Sequence, residues 1–272
     1  MQLDPTYAER RARLFELLRP LEGLAVAFSG GVDSSVLLHA VHTVLGERAV
    51  GLIADSPSLP RRELRAAHAT ARAIGARFEV LATREGEDER YRANAGDRCY
   101  FCKTALFEAM AAWAAGRGLA ALAFGEIVDD ALDDRPGARA AREFRVLAPL
   151  AEAGFGKADV RRYAREAGLS VWDRPASACL ASRIPVGTRV SAERLARVEA
   201  AEDAVLRLGL RQVRVRDHGR GARLEVGADE LPRARRLAAE IAAALGEAGF
   251  ARYELAAYRA PAQRLATRET EG

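Results

Sequence analysis

Two groups of residues in this chain have the types and spacing to do chemistry. The first is Ser29-Gly30-Gly31-Val32-Asp33-Ser34, set between the apolar run Leu24–Phe28 and a segment carrying Val36, Leu37, Leu38 and Val41. Paired glycines let a backbone turn sharply and bring its N–H groups close to an anion, and a helix start just beyond adds partial positive charge. Strand, loop and helix in that order make a phosphate cradle. It is not a Walker A loop, because the lysine of G-x-x-x-x-G-K-S/T is absent. The second group is the cysteines. Cys99 and Cys102 form a C-x-x-C, and Cys179 lies far along the chain. A C-x-x-C suits half a zinc site, a redox pair or two buried apolar residues. There is no second C-x-x-C, and His39, His42, His68 and His218 lack zinc-finger spacing. Three thiols are also enough for a [4Fe–4S] cluster with one iron left open to a sulfide or a substrate.

These residues need elements to position them. Pro5–Arg19 reads as a lead-in helix, and Leu24–Phe28 as a short buried strand running into the glycine loop. Ala49–Ala54 is a second buried strand, with Asp55 at the carboxyl end where open α/β sheets bind nucleotides. A helix over Arg61–Ile74 ends at Gly75, and Phe78–Leu81 is a third strand. Thr83–Asp97 is polar without periodicity and reads as an exposed loop that delivers the C-x-x-C to a helix over Thr104–Ala115. Strand Leu119–Phe124 leads to Gly125-Glu126 and an acidic stretch, Asp129–Gly137. A helix over Lys157–Ala167 stops at Gly168. The alternation predicts an α/β fold, a doubly wound parallel sheet, over residues 1–187. Beyond Gly187 the pattern changes to a small α-β-β-α-β module over residues 188–272. There Val213 and Val215 alternate with Arg214 and Arg216 on a half-buried strand, and a helix spans Glu230–Leu245.

The chain has 272 residues, 49% of them hydrophobic and 29% charged, enough for one ordinary domain and a smaller one. No apolar run approaches a membrane span, and Met1–Arg13 has no signal-peptide core, so a cytoplasmic protein is expected. The net charge is +4, carried almost wholly by arginine, since Lys103 and Lys157 are the only lysines. Heavy Ala and Arg usage has the look of a GC-rich coding bias, so the charge is not read as a nucleic-acid surface. An odd number of cysteines in a reducing compartment favours metal, cluster or catalytic roles over disulfides.

The S-G-G-x-D-S pattern after a strand resembles the PP-loop of ATP pyrophosphatases, which cleave ATP between the α- and β-phosphates and adenylate a substrate oxygen. Three further segments narrow the resemblance: Arg98-Cys99-Tyr100-Phe101-Cys102-Lys103, Ala178-Cys179-Leu180-Ala181-Ser182-Arg183-Ile184-Pro185-Val186-Gly187, and Val213-Arg214-Val215-Arg216 with the helix carrying Ala200-Ala201-Glu202. With these, almost the whole chain resembles the LarE family, ATP-dependent sulfur transferases of the nickel-pincer nucleotide cofactor. The resemblance implies adenylation of the carboxylates of pyridinium-3,5-biscarboxylate mononucleotide, release of pyrophosphate and replacement of oxygen by sulfur. One branch of that family sacrifices the sulfur of the cysteine matching Cys179. The other has three cysteines and a [4Fe–4S] cluster, and this chain, with Cys99, Cys102 and Cys179, falls with it.

The roles carried over are these. Ser29, Gly30, Gly31, Asp33 and Ser34 hold the pyrophosphate of ATP with a Mg2+ ion, and Ala54, Asp55 and Gly125 sit by the adenosine. Cys99, Cys102 and Cys179 ligate the cluster, with Lys103 beside it as a charge stabiliser. Ser182, Arg183, Arg214 and Arg216 match the substrate-phosphate region, while Glu202, Glu225 and Asp229 are acidic groups for metal or catalytic work. Phe124-Gly125-Glu126 departs from the usual family pattern, which leaves open whether Glu126, Asp129 or Asp130 serves ATP or metal. The implied partners are a small-molecule nucleotide substrate and sulfide or another sulfur donor, with a homo-oligomer, a hexamer by resemblance, and no nucleic acid or membrane. The rivals are a PP-loop tRNA thiolase, a single-turnover donor through Cys179, and a nucleotide- or metal-binding regulatory module without catalysis.

Overall fold

The structure, a computed structural model, describes residues 5–119, 121–131, 136–175 and 178–259. The chain gathers into two compact units, Met1–Ala178 and Cys179–Gly272; the border expected from the sequence lies at Gly187. Among the described residues no helix is long and apolar enough to cross a membrane.

The first unit is the expected α/β fold. Its elements run α1 (Tyr7–Leu18), β1 (Leu24–Ala27), α2 (Val32–Leu45), β2 (Ala49–Asp55), α3 (Arg61–Ile74), β3 (Arg77–Ala82), α4 (Glu89–Ala93) and α5 (Arg98–Ala115). They continue with β4 (Leu122–Phe124), α6 (Val128–Ala131), α7 (Pro136–Glu143), α8 (Pro149–Glu152) and α9 (Lys157–Glu166). The four strands are parallel in the order β3-β2-β1-β4. Successive strand residues point to opposite faces, so each strand feeds two cores. Leu24, Val26 and Ile53 join α1, α2, α3 and α9 in one cluster, while Ala25, Val50 and Leu52 join Phe107, Met110 and Trp113 of α5 in the other. Both faces are covered, which is why these strands read as unbroken apolar runs.

Three local expectations are corrected. Helix α5 begins at Arg98, not Thr104, so the C-x-x-C is the opening of the helix rather than the loop before it. The stretch 83–97 is not an exposed loop: it holds a 3-10 turn, Glu85–Glu87, and α4, anchored by buried Glu85, Tyr91 and Asn94. A few buried side chains suffice there, too few to leave a periodic signal. The strand expected from Leu119 begins only at Leu122, and of the acidic stretch 129–137 residues 132–135 lie outside the described residues.

The second unit opens with a 3-10 turn, Leu180–Arg183, followed by α10 (Ala192–Arg207), β5 (Val213–His218), β6 (Gly221–Val226), α11 (Leu231–Arg236), α12 (Ala238–Glu247) and β7 (Arg252–Ala257). The single helix expected over Glu230–Leu245 is thus two, interrupted at Leu237. Strand β6 is central, antiparallel to β5 and parallel to β7. Val213 and Val215 are buried between half-exposed Arg214 and Arg216, as their alternation requires. Helix α10 lies against β5 through an apolar stripe of Leu195, Val198, Ala201 and Val205.

Candidate functional sites

The glycine loop of the first unit is shaped by its own hydroxyls. The Ser34 hydroxyl accepts from Ser29 N at 3.2 Å, donates to Gly31 O at 3.2 Å and lies 3.1 Å from Ser29 Oγ. These bonds fold the chain back before α2. Gly30 has φ +73°, and a Cβ there would stand 2.8 Å from Ala67 Cα on α3, so conformation and space both demand glycine. Gly31 caps α2 in extended conformation with no side-chain hydrogen bond to its first turn. The first amides of a helix lack intrahelical partners, so they point into the loop as donors. At the end of β4, a Cβ on Gly125 would reach 2.8 Å from Ser34 N, which keeps the approach to those amides open.

Asp33 has a partner that sequence reasoning missed. Lys157 Nζ, at the start of α9, donates to both Asp33 carboxylate oxygens at 3.0 and 2.9 Å. The signal was present: in a chain that uses arginine almost throughout, Lys157 is one of only two lysines, and a lysine offers a compact point charge where arginine offers a planar fork. Asp129 accepts from Lys157 N at 2.9 Å, so this carboxylate caps α9 and fixes the lysine's approach. At the carboxyl end of β2, Ala54 is followed by Asp55, which holds Arg61 of α3 at 2.5 Å.

Cys99 is exposed and Cys102 half-buried at the opening of α5, and their i, i+3 spacing puts both on one side of the helix. Lys103 follows them. Its ammonium lies 4.6 Å from the Phe124 ring centroid and 5.4 Å from that of Phe107. Burial drives its pKa below the usual lysine range, and Cys102, Glu126, Cys99 and Asp130 pull it partly back. None of the three cysteines is in a disulfide. Three thiols fit an iron–sulfur cluster by donor chemistry. Cys179, however, belongs to the second unit, and among the described residues no three His, Cys, Asp or Glu side chains are gathered as a metal site.

In the second unit Cys179 caps the 3-10 turn, and its carbonyl is gripped three ways. It accepts from Ser182 N at 3.0 Å, Ser182 Oγ at 2.8 Å and Arg183 Nη1 at 3.0 Å. Arg183 in turn lies against Glu202, Nε to Oε1 at 2.8 Å and Nη2 to Oε2 at 3.2 Å, with side chains 1% and 0% exposed. Val215 N also donates to Glu202 Oε1, at 3.1 Å. Arg183 and Glu202, expected in separate roles, are therefore each other's partners. Arg216 takes Glu225 with a two-pronged contact, 2.8 and 3.0 Å, and reaches Ser182 O at 3.2 Å. A cavity of about 360 Å³ opens here, lined among others by Ser182, Arg183, Arg216, Arg223, Glu225 and Arg259. Of the four expected phosphate residues, Ser182, Arg183 and Arg216 meet in this cavity. Arg214 does not line it; its guanidinium bonds Val213 O at 2.8 Å and lies 5.7 Å from the Tyr258 ring. Arg223 and Arg259 were not singled out from the sequence, where nothing separates them from the many surface arginines. Asp229 is outside the cavity, paired with Arg211 at 2.9 Å.

No family model matches the chain. Among characterised and uncharacterised proteins it is similar to an uncharacterised protein of Synechocystis sp., 41% identical over 211 residues, 78% of this chain and 79% of that one. It is 27% identical over 209 residues to an uncharacterised protein of Methanocaldococcus jannaschii, covering 76% and 78% of the two chains. It is also 36% identical over 222 residues to the pyridinium-3,5-bisthiocarboxylic acid mononucleotide synthase of Lactiplantibacillus plantarum, covering 81% of this chain and 80% of that enzyme. Likeness of that degree over four-fifths of both proteins places this chain in the pyridinium-3,5-bisthiocarboxylic acid mononucleotide synthase family, LarE.

Proposed function

We propose that this chain is an ATP-dependent sulfur transferase. It adenylates the carboxylates of pyridinium-3,5-biscarboxylate mononucleotide, forming AMP and pyrophosphate, and replaces carboxylate oxygen with sulfur. The observation that carries this reading is the glycine loop with the Asp33–Lys157 pair, in a member of a family whose named enzyme makes the bisthiocarboxylate. A substrate carboxylate oxygen attacks the α-phosphorus, pyrophosphate leaves, and a sulfur nucleophile then displaces AMP with that oxygen.

In this reading Ser29, Gly30, Gly31 and Ser34 shape the cradle for the leaving pyrophosphate, and Lys157 adds a cation to it. Asp33 is the carboxylate assigned to a Mg2+ ion, which would offset phosphate charge when bound. Ala54, Asp55 and Gly125 border the adenosine. In the second unit, Ser182 with Arg216, Arg223 and Arg259 of the cavity takes the substrate's phosphate, because arginine presents permanent charge and a planar fork to such an oxyanion. Arg183 and Glu202 brace the Cys179 segment from behind. Cys99, Cys102 and Cys179 are the proposed ligands of a [4Fe–4S] cluster, which would supply an open iron for sulfide, with Lys103 as neighbouring cation. We further propose a cytoplasmic homo-oligomer, the assembly resting on family likeness alone.

The test is pyrophosphate release from ATP with and without the biscarboxylate nucleotide. Substrate-dependent release is expected, and Asp33→Asn or Lys157→Ala is expected to slow it about a hundredfold, the usual cost of losing one preorganised charge. ATP binding with no pyrophosphate release under any condition would instead favour the non-catalytic regulatory module.

A further inference from the structure

The C-x-x-C has a second chemistry open to it, between its own two thiols. Residues three apart on an α-helix lie on one side of it, with Cα atoms about 5 Å apart. A disulfide spans roughly 4.4–6.8 Å between Cα atoms, so Cys99 and Cys102, both inside the first turns of α5, can join without unwinding it. The two thiols also differ as an exchange reaction requires. Cys99 is exposed, open to a partner from solution, and Cys102 is half-buried one turn further on. The residues between them are tied down from two sides. Tyr100 donates to Glu143 of α7 at 2.7 Å and lies under the Arg139 guanidinium, 3.9 Å from its ring centroid, while Arg90 of α4 lies 4.6 Å from that of Phe101. Helices α7 and α4 thus hold this turn in place and leave Cys99 uncovered. Fixed geometry of this kind raises the effective concentration of one thiol at the other.

We propose that Cys99 and Cys102 are a redox-active dithiol whose oxidants are small-molecule disulfides. The exposed Cys99 sulfur, as thiolate, attacks the small disulfide, forming a mixed disulfide and expelling one thiol. Cys102 then attacks the Cys99 sulfur, which closes the Cys99–Cys102 bond and expels the second thiol. Two cysteine sulfurs are oxidised, one small disulfide is reduced to two thiols, and the two cysteine protons end on those thiols. Transient disulfides of this kind are the ones that a reducing compartment permits. The dithiol stands on the geometry of α5 and not on the cluster proposal. Its consequence for the cluster rests on that reading: the closed form withdraws two of the three proposed ligands, so loading waits on reduction.

The test uses the full chain, stripped of metal with a chelator, fully reduced and then equilibrated without oxygen in oxidised glutathione with an excess of the reduced form. Remaining thiols are capped with iodoacetamide and located by intact mass and peptide mapping. The parent is expected to fall from three capped thiols to one, Cys179, with two hydrogens lost and no glutathione retained. Cys102→Ser, which lacks the second thiol of the pair, is expected to keep both Cys99 and Cys179 capped in the same buffer. A parent chain that keeps all three thiols capped, retains glutathione on Cys99, or joins Cys99 to Cys179 overturns the proposal. Iron content of protein purified without oxygen is a separate measurement: its absence overturns the cluster, and the thiol count still decides the dithiol.

Discussion

Arg183 and Glu202 show how burial decides what a charged residue can do. A guanidinium and a carboxylate with side chains 1% and 0% exposed have given up their water, and each depends on the other for compensation. Glu202 also accepts from Val215 N, and Arg183 from its other end holds the Cys179 carbonyl, so the pair joins α10, β5 and the 3-10 turn. Removing one partner leaves an uncompensated buried charge, which costs about 3–5 kcal/mol. Glu202→Leu is expected to lose about that much unfolding free energy in a denaturant titration. The double variant Glu202→Leu with Arg183→Met should recover most of it, since buried ion pairs replaced by apolar groups of similar size are often near neutral. A single variant as stable as the parent would show that the pair carries no such load.

At the scale of elements, the first unit brings the end of β1, the start of α2, the end of β4 and the start of α9 to one place. Two glycines permit it. Gly125→Ala would set a methyl group 2.8 Å from Ser34 N, and Gly30→Ala would meet Ala67 Cα at 2.8 Å with φ already at +73°. Gly46 supplies the contrast, with φ +57° and nothing within 4 Å of its absent Cβ. Gly46 has ψ −128°, a backbone region that side chains rarely adopt, so Gly46→Ala should cost only backbone strain on the order of 1–3 kcal/mol, with nucleotide affinity kept. Gly30→Ala and Gly125→Ala should additionally weaken ATP about tenfold or more in calorimetry, because they displace the amides proposed to face the phosphates. Equal ATP affinity in all three variants would remove the glycine loop from the proposed nucleotide site.

At the scale of the whole molecule, two units each bury their own core, and the cysteines are divided between them: Cys99 and Cys102 in one, Cys179 in the other. The proposed cluster therefore makes a prediction about the complete chain. Protein purified without oxygen should hold about four irons with matching acid-labile sulfide. Either Cys99→Ala or Cys179→Ala should abolish that content. Absent iron, with Cys179 losing the mass of about one hydrogen sulfide after ATP and substrate, would assign the chain to single-turnover sulfur donation.

By itself the sequence determined the fold class and the glycine loop between β1 and α2. Those features are local: apolar period, glycine pairs and caps act within a few residues of one another. Short anchors escaped that reading, as α4 did, because Tyr91 and Asn94 are buried without any period to announce them. Which charges meet was decided only by the tertiary structure. Lys157 reaches Asp33 across 124 residues, Arg183 finds Glu202 through the packing of α10 on β5, and the β5–β6 register sets Arg216 beside both Glu225 and Arg223. An arginine in a chain full of arginines has no pattern of its own. Its role follows from the carboxylate that folding places against it, and from the water that folding removes.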